Sequence, residues 1–325
     1  MSESSWPALM SDSDTRGFAF ECARRLSVGG MSEEHQTRTW IITGASSGLG
    51  LALAEAALAA GERVVGTARR KERFGRLLGV HGGRFLAVEH DVRETEGAAA
   101  VVETAMGRFG RVDVLVNNAG VGQVGTAEEI SDEALQDMLA QHLRGPAAYV
   151  RAVLPHMRAA GSGAIVQMSS QGGRRSFPAV GSYSAAKFAL EGWSEALAGE
   201  VAPFGIRVLI VEPSRFRTEF NASGVLRTAP PDPRYTAVAG RIRADMADAD
   251  GRQEGDPARA AAVIRRMLSQ PDAPLRLPLG AEAVRNLVAS YQRSLDDVRR
   301  WAEVSESADF PGLPPAVRGF QRSAR

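Results

Sequence analysis

From Arg38 onward, short apolar runs alternate with longer Ala-rich stretches in which apolar residues recur with a helical period. The stretches between the runs predict helices at 49–60, 94–109, 135–160 and 183–201. The apolar runs are largely continuous, as in parallel strands buried on both faces, and they predict strands at 39–43, 63–68, 84–88, 112–117, 164–168 and 206–211. This alternation predicts an α/β fold with a doubly wound parallel sheet covered by helices on both faces, a three-layer αβα sandwich.

The alternation stops after Pro213. Residues 213–255 contain a Pro-Pro-Asp-Pro segment among mixed polar residues, and a connection of this length predicts a substrate lid, which we call the lid segment. Asp256 followed by proline predicts the cap and first residue of another helix. We expect a last strand at 275–279 and a helix that continues to Arg300.

The first 37 residues differ in composition from the rest. They contain no continuous apolar segment of the kind found in secretory signals, and their acidic residues argue against an organellar transit peptide. We expect residues 1–37 to be a disordered N-terminal extension, 38–300 to be one domain, and 301–325 to be an irregular C-terminal arm. Because Met31 could itself start the chain, we hypothesise that residues 1–30 are dispensable. Unfolding or loss of activity on their deletion would contradict this hypothesis.

Charge and cysteine content limit the partners and the compartment. The chain has 39 Lys and Arg against 38 Asp and Glu, a net charge of +1, so charge does not predict binding to nucleic acid or to an anionic membrane. The single cysteine, Cys22, excludes an intramolecular disulfide and is typical of a reducing compartment. No run approaches the roughly 20 apolar residues that span a bilayer. These features predict a soluble cytoplasmic protein, and no pattern predicts a metal site.

A glycine-rich segment, Thr43 to Gly50, joins the first predicted strand to the first predicted helix. Glycines at such a junction allow a tight turn, close approach of the backbone to a pyrophosphate, and close packing of helix on strand. The helix N-terminus adds unpaired N–H groups and a partial positive charge that favour phosphate. The spacing is Gly-x-x-x-Gly-x-Gly rather than the generic Gly-x-Gly-x-x-Gly, and a purely structural turn is the alternative.

The second predicted strand is followed by Arg69 and Arg70. In a dinucleotide-binding fold, an acidic residue at this point binds the ribose 2′-hydroxyl, whereas an arginine accommodates a 2′-phosphate. Arg69 therefore favours NADP over NAD as the cofactor. The alternative is that both arginines are solvated residues at the start of a helix.

Tyr183 and Lys187 occur in the sequence Tyr-Ser-Ala-Ala-Lys, and Lys187 is one of only two lysines in the chain. Positions i and i+4 share one face of a helix, so the ammonium can lie beside the phenol, whose free pKa is about 10. A positive charge ~4 Å away at an effective dielectric of ~20 favours the phenolate by roughly 4 kcal/mol, about three pKa units. The pair therefore predicts that Tyr183 acts as a general acid and base. The alternative is a buried tyrosine beside a solvated lysine.

Together these elements resemble the short-chain dehydrogenase/reductase (SDR) family, in its form with a single Rossmann-type domain. The resemblance is close over residues 38–220 and looser to about 300. The glycine-rich segment is similar to the family's Thr-Gly-x-x-x-Gly-x-Gly cofactor motif, and Asn117 to Gly120 is similar to its Asn-Asn-Ala-Gly motif. The cofactor-binding residues that the resemblance implies are Gly44, Ser46, Ser47, Gly48, Leu49, Gly50, Arg69, Asp91, Val92, Asn118, Ala119, Gly120, Tyr183, Lys187, Phe216 and Thr218.

The resemblance also implies catalytic roles. In reduction, the nicotinamide delivers hydride to a carbonyl carbon while Tyr183 protonates the oxygen, and oxidation reverses both steps. Ser170 matches the serine that donates a hydrogen bond to this oxygen, and its neighbour Ser169 is the alternative. Lys187 lowers the pKa of Tyr183 and holds the ribose hydroxyls of the nicotinamide.

Two positions depart from the family pattern. His142 replaces the asparagine of an Asn-x-x-Gly segment that supports a water-linked proton path to the lysine. An imidazole could donate and accept protons there and would titrate near neutral pH, and a packing histidine is the alternative. Ser214 replaces the glycine of a Pro-Gly pair, so we expect it to restrict the backbone beside the nicotinamide and to alter the fit of the cofactor.

These residues predict an NADP(H)-preferring oxidoreductase that acts on a secondary alcohol or ketone. The alternative is a catalytically degenerate NAD(P)-binding sensor or scaffold, which His142 and Ser214 favour and the intact serine, tyrosine and lysine oppose. An epimerase or dehydratase of the larger related subfamily is weakened by the glycine spacing.

Two further expectations concern the substrate and the assembly. The lid segment predicts an apolar or bulky substrate because it carries Phe216, Phe220, Val225, Leu226 and Tyr235. The stretches 135–160 and 183–203 are apolar enough to pair with a second subunit, so we expect a homodimer or homotetramer. Sedimentation as a monomer at micromolar concentration would count against this expectation.

Overall fold

The structure of the protein is a computed structural model that describes residues 37–222, 225–314 and 316. The predictions made for residues 1–36 lie outside the described residues. Its strands, in chain order, are β1 Thr39–Thr43, β2 Arg63–Ala68, β3 Phe85–Glu89, β4 Val114–Asn117, β5 Gln123–Val124, β6 Gly163–Met168, β7 Ile206–Pro213, β8 Arg227–Thr228 and β9 Arg276–Leu279.

The helices cover both faces of a central sheet. They are α1 Gly48–Ala59, α2 Gly75–His81, α3 Gly97–Phe109, α4 Asp132–Leu139, α5 Gly145–Ala160, α6 Gly181–Val201, α7 Thr236–Asp248, α8 Pro257–Leu268, α9 Ala281–Arg300 and α10 Ala302–Glu306. Ile42 of β1 packs with α1 and α8 in one apolar cluster. Its neighbour Ile41 points to the opposite face and packs with α3, α5 and α6 in a second cluster. The predicted three-layer αβα sandwich is confirmed.

The sheet has seven strands in the order β3-β2-β1-β4-β6-β7-β9, and every neighbouring pair is parallel. The chain moves outward from β1 through β2 to β3, and then crosses back to β4 on the other side of β1. This reversal opens a crevice beyond the carboxyl ends of β1 and β4, where ligands bind in open α/β sheets. The sheet topology therefore places a site directly after Thr43 and Asn117.

The single helix predicted at 135–160 is instead two helices, α4 and α5, joined by a π-helical turn at Ala140–Arg144. Pro146 explains the interruption because it has no N–H to donate to the carbonyl of His142, four residues earlier. In this π-helical turn the His142 side chain points inward and is buried.

The described part of the lid segment contains a helix and a strand that the sequence did not predict. It contains the helix α7, and its short strand β8 pairs with β5 in a two-stranded sheet. In α7 only Ala239 is buried, so the sequence of this helix has little of the periodic apolar pattern from which helices are predicted. An ion pair of 2.6 Å between Arg243 and Glu129 holds α7 against the loop before α4.

The remaining C-terminal elements follow the prediction closely. The Asp256 side chain accepts hydrogen bonds from the backbone N–H groups of Ala258 (2.8 Å) and Arg259 (3.3 Å), which confirms it as the cap of α8. The last strand, β9, and the helix to Arg300 are also present. The C-terminal arm begins with the short helix α10, which the sequence did not predict. Within the described part of the chain, no helix is both long and apolar enough to cross a bilayer.

Candidate active site

A cavity of about 840 Å³ lies at the carboxyl ends of the central strands. Its volume is in the upper part of the range found for ligand sites. Every residue predicted to bind cofactor or to act in catalysis lines this cavity except Gly50: Gly44, Ser46, Ser47, Gly48, Leu49, Arg69, Asp91, Val92, Asn118, Ala119, Gly120, His142, Ser170, Tyr183, Lys187, Phe216 and Thr218. The fold therefore brings together residues that are up to 174 positions apart, from Gly44 to Thr218.

The N-terminus of α1 faces this cavity. Ser47 precedes the helix, and its side chain makes no capping hydrogen bond to the described residues, so the first N–H groups of the helix remain available. Gly44 and Gly48 have φ angles of 65° and 57°, a backbone conformation that favours glycine. An uncapped helix N-terminus behind a glycine turn fits the pyrophosphate of a dinucleotide.

Asn118 fixes the glycine-rich turn. Its side-chain Nδ2 donates to the carbonyl oxygens of Thr43 (2.9 Å) and Gly44 (3.2 Å). In return, Thr43 Oγ1 accepts from the backbone N–H groups of Asn118 (2.9 Å) and Ala119 (3.0 Å). A Cβ at Gly50 would lie 2.4 Å from Asn118 Nδ2, so Gly50 allows close packing in the turn rather than lining the cavity.

Arginine side chains line the end of the cavity that lies after β2. Arg69 and Arg70 are exposed at its rim, after β2, where a 2′-phosphate would lie. Asp91 also lines this end, and its carboxylate accepts a hydrogen bond of 3.0 Å from Arg93 Nε. That hydrogen bond, together with the charge of Arg69, lowers the pKa of Asp91, although its partial burial opposes the shift. Arg73, which sequence reasoning missed, lines the same region.

Ser170 and Tyr183 both lie next to Gly172. A Cβ at Gly172 would be 3.3 Å from both Ser170 Oγ and Tyr183 Cε1. Ser170 Oγ also accepts a hydrogen bond of 3.0 Å from the Gly172 N–H. Ser169 is buried, and its Oγ lies 2.6 Å from a Cβ placed on Gly173. The serine hydroxyl that acts on the Tyr183 phenol is that of Ser170, so the geometry favours Ser170 over Ser169.

The predicted effect of Lys187 on the Tyr183 phenol is wrong for this structure. Burial raises the pKa of Tyr183 to about 12, and the neighbouring Ser170 hydroxyl only partly opposes this shift. Lys187 Nζ lies 5.8 Å from the centre of the Tyr183 ring and donates a hydrogen bond of 2.7 Å to the carbonyl oxygen of Met168. Burial lowers the pKa of Lys187 to about 7, so the amine is only partly charged at neutral pH.

The expectation that His142 titrates near neutral pH is also wrong. Burial, followed by the charges of Lys187 and Arg227, holds its pKa well below the usual value, so the ring is neutral. His142 Nε2 donates to the carbonyl oxygen of Val121 over 3.0 Å, which leaves Nδ1 as an acceptor with no partner among the described residues. The ring meets the Tyr183 ring edge-on, with 5.5 Å between their centres.

Ser214 stands in place of the family's glycine without backbone strain, and its expected effect on the fit of the cofactor stays a prediction. Among the described residues, Ala179 is the one non-glycine residue with a positive φ angle, so Ser214 has an ordinary conformation. The Ser214 hydroxyl donates to the carbonyl oxygen of Leu279 over 3.3 Å and is directed toward β9.

Apolar side chains line the cavity beyond Tyr183. The Phe220 ring lies 6.1 Å from the Tyr183 ring, and Val225 of the lid segment is close by in the lining. Leu226 and Tyr235 were expected here but are elsewhere: Leu226 packs over Gly122, and the Tyr235 hydroxyl donates to Glu128 over 2.7 Å. Lining residues that sequence reasoning missed are Gln171, Arg175, Phe177, Val180, Glu282 and Asn286.

Comparisons with known proteins identify the family of the chain. A family model described as short chain dehydrogenase matches residues 38–226. Oxidoreductase BOA17 of Botryotinia fuckeliana is 35% identical over 270 residues, which cover 83% of this chain and 98% of that protein. A 3-ketodihydrosphingosine reductase of Bacteroides thetaiotaomicron is 41% identical over 186 residues, 57% of this chain and 66% of that protein.

A solved structure extends the similarity to the whole fold. A short-chain dehydrogenase from Streptomyces avermitilis is 46% identical, and the match covers 85% of this chain and 100% of that one with a TM-score of 0.80. The parallel sheet flanked by helices is therefore shared with a solved short-chain dehydrogenase. The chain belongs to the short-chain dehydrogenase family and is an NAD(P)-dependent oxidoreductase.

Proposed function

We propose that the protein is an NADP(H)-preferring oxidoreductase that interconverts a ketone and a secondary alcohol, with Tyr183 as the general acid and base. One observation carries the proposal: Tyr183, Ser170 and Lys187 line the same cavity as the uncapped N-terminus of α1. The dinucleotide would be held by α1 at its pyrophosphate, by Arg69 at a 2′-phosphate and by Lys187 at the nicotinamide ribose. When bound, the reduced cofactor supplies a hydride to the carbonyl carbon.

The side chains of this chain handle the proton and the carbonyl oxygen. Ser170 donates a hydrogen bond to the carbonyl oxygen, which stabilises negative charge as it develops there. The Tyr183 hydroxyl gives its proton to the same oxygen. A phenol with a raised pKa remains protonated at neutral pH, so it is ready as the acid for reduction. The Phe220 ring lies 6.1 Å from the Tyr183 ring, where it would help to exclude water from the reacting atoms.

The raised pKa of Tyr183 leads to a spectroscopic prediction. In the cofactor-free protein, we expect no phenolate absorbance from Tyr183 below about pH 10, because its pKa lies near 12. The ultraviolet difference spectrum between the native chain and Tyr183→Phe, recorded while pH is raised, measures this directly. A phenolate that forms near pH 7 would show instead that the Lys187 charge dominates, as the sequence alone indicated.

We expect Arg69 to determine the cofactor preference. Arg69→Gln removes a cation that would pair with a 2′-phosphate, and a charged hydrogen bond is worth about 1.5–3 kcal/mol. The dissociation constant for NADPH should rise at least about tenfold, and that for NADH should change less than about twofold. Cofactor fluorescence on mixing measures both constants.

Arg76→Gln is the matched control for Arg69, because Arg76 is exposed on α2 and is paired with Glu55 outside the cavity. Its substitution should change neither dissociation constant. An equal loss of affinity for NADPH and NADH in Arg69→Gln would contradict the 2′-phosphate assignment, as would tighter binding of NADH by the native chain.

We infer an apolar or bulky substrate from the lining beyond Tyr183. Phe177, Val180, Phe220 and Val225 all line the cavity, and the Phe220 ring lies 6.1 Å from the Tyr183 ring. Apolar lining residues favour apolar substrate groups. The Bacteroides relative, named for reduction of a 3-keto substrate, supports a ketone as the reacting group. A panel of ketones with increasing apolar bulk tests this inference, and faster turnover of small charged ketones would contradict it.

A further inference from the structure

A cluster of buried charges lies directly behind the catalytic turn at residues 169–174. Glu191 of α6 and Glu212 of β7 are 3% and 1% exposed, so neither carboxylate is solvated. Arg174 lies between them, with its Nη1 3.9 Å from Glu191 Oε2 and 3.5 Å from Glu212 Oε1. Arg276 of β9 donates from Nε to Glu191 Oε2 over 3.0 Å. Charges are rarely buried unless they are paired, and this cluster is paired by contacts from four elements.

Glu191 is the member of the cluster that two guanidinium groups contact, Arg276 through Nε and Arg174 through Nη1. Its neighbour Glu212 is contacted by Arg174. Burial and the nearby Glu191 raise the pKa of Glu212 to about 7.

Glu191 follows Lys187 by one helical turn, so both side chains leave α6 on the same face. The groups that face the Lys187 amine are Tyr183 and Glu191 from its own helix, the neutral ring of His142 from the π-helical turn, and the Met168 carbonyl from β6. Of these, Glu191 is the one that contributes a carboxylate. Its attraction acts against the burial of Lys187, which by itself favours the neutral amine.

One oxygen of Glu191 is not committed to the arginines. Glu191 Oε1 is buried and has no hydrogen-bond partner among the described residues. A Cβ placed on Gly173 would lie 3.0 Å from Glu191 Cγ and 3.2 Å from the Lys187 carbonyl oxygen. The carboxylate therefore borders both the catalytic turn and the segment of α6 that carries Lys187, where its field is weakly screened by water.

We propose that Glu191 is a positioning residue for Lys187: its buried carboxylate, held by Arg276 and Arg174, is the counter-charge that favours the ammonium form of the amine. Glu191 does not line the cavity, and it acts only through Lys187. The inference rests on the proposed function, in which the Lys187 ammonium group holds the nicotinamide ribose.

The chain offers a direct test because it contains only two lysines, Lys71 and Lys187. In protein labelled with ¹³C at lysine Cε, a nuclear magnetic resonance titration shows two signals, which the variant Lys71→Arg assigns. The native Lys187 signal should titrate near pH 7. In Glu191→Gln, we expect its midpoint to fall by about one unit, because loss of a nearby buried anion disfavours the charged amine.

Glu195→Gln is the matched control. Glu195 lies one further turn along α6 and also binds Arg276, at 2.7 Å, but its side chain is 62% exposed. Its substitution should leave the Lys187 midpoint within a few tenths of a unit of the native value. An unchanged midpoint in folded Glu191→Gln, or an equal fall in Glu195→Gln, would overturn the proposal.

A second variant covers the case in which Glu191→Gln does not fold. Glu191→Asp keeps a carboxylate but shortens its side chain by one methylene. The midpoint of the Lys187 titration should therefore fall by less than in Glu191→Gln. A midpoint that does not fall at all would count against the proposal. The titration needs neither cofactor nor turnover. A native chain that binds NADPH without turnover would therefore contradict the proposed function while the titration still decides the role of Glu191.

Discussion

Tyr183→Phe is expected to abolish turnover while the protein still binds its cofactor. Phenylalanine keeps the ring that contacts His142 and Phe220 and removes only the hydroxyl that would donate the proton. Loss of a general acid costs roughly 10²–10⁴ in rate, so kcat for ketone reduction should fall by about three orders of magnitude. The dissociation constant for NADPH should change less than about twofold. Steady-state kinetics and cofactor fluorescence measure the two quantities on the same sample.

Tyr235→Phe is the control for this prediction. The Tyr235 hydroxyl donates to Glu128 outside the cavity, so its removal should leave both quantities near their native values. NADPH binding without turnover in the native chain, unchanged by Tyr183→Phe, would favour the sensor or scaffold instead. Turnover that survives the loss of the phenol would mean that another group supplies the proton.

Gly50→Ala is expected to disrupt the glycine-rich turn and cofactor binding together. The new Cβ would lie 2.4 Å from Asn118 Nδ2 and 2.5 Å from the Gly44 carbonyl oxygen, distances that no real Cβ keeps. Asn118 must then withdraw from the carbonyls of Thr43 and Gly44. Overpacking and the lost hydrogen bonds should lower the free energy of unfolding by about 1–3 kcal/mol. NADPH affinity should fall by at least about tenfold.

Gly79→Ala is the matched control in α2. A Cβ there meets no heavy atom of the described residues within 4 Å, and the residue is exposed. Alanine in this helix should raise the free energy of unfolding by about 0.5–1 kcal/mol, without effect on the cofactor. Thermal unfolding followed by circular dichroism checks both variants. Native affinity in Gly50→Ala would contradict the packing role assigned to Gly50.

The sequence predicts the sheet well because buried parallel strands are continuous apolar runs. β2, for example, has the bounds expected from its residues, 63–68. The helix α7 is different, since only Ala239 is buried and an ion pair with the distant Glu129 holds it in place. Pairings between residues more than a hundred positions apart leave no periodic signal in the chain.

The cofactor side of the site was predictable because the carboxyl ends of parallel strands meet at one edge of the sheet. The substrate side was only partly predictable. Glu282 and Asn286 lie on α9 and line the cavity. The helix α9 directly follows β9 in the chain, and the pairing of β9 with β7 brings it to the site. Sequence proximity alone does not relate α9 to the catalytic turn.

The direction of the Tyr183 pKa shift could not be read from the spacing of tyrosine and lysine. Spacing on a helix shows that two side chains share a face, but it does not show which atom the amine contacts. In the structure, the Lys187 amine contacts the Met168 carbonyl, and burial then dominates the pKa values of both groups. Electrostatic roles therefore depend on backbone contacts that appear only in the folded chain.

Transfer of deuterium is the most direct test of the central claim that this cavity reduces a ketone with Tyr183 as the acid. NADPH deuterated at the transferred position would be incubated with bulky ketones, and the alcohol product analysed by mass spectrometry. We predict one deuterium on the carbinol carbon with the native chain and no detectable alcohol with Tyr183→Phe. Bound NADPH that yields no deuterated alcohol from any ketone, or equal yields from both proteins, would contradict the claim.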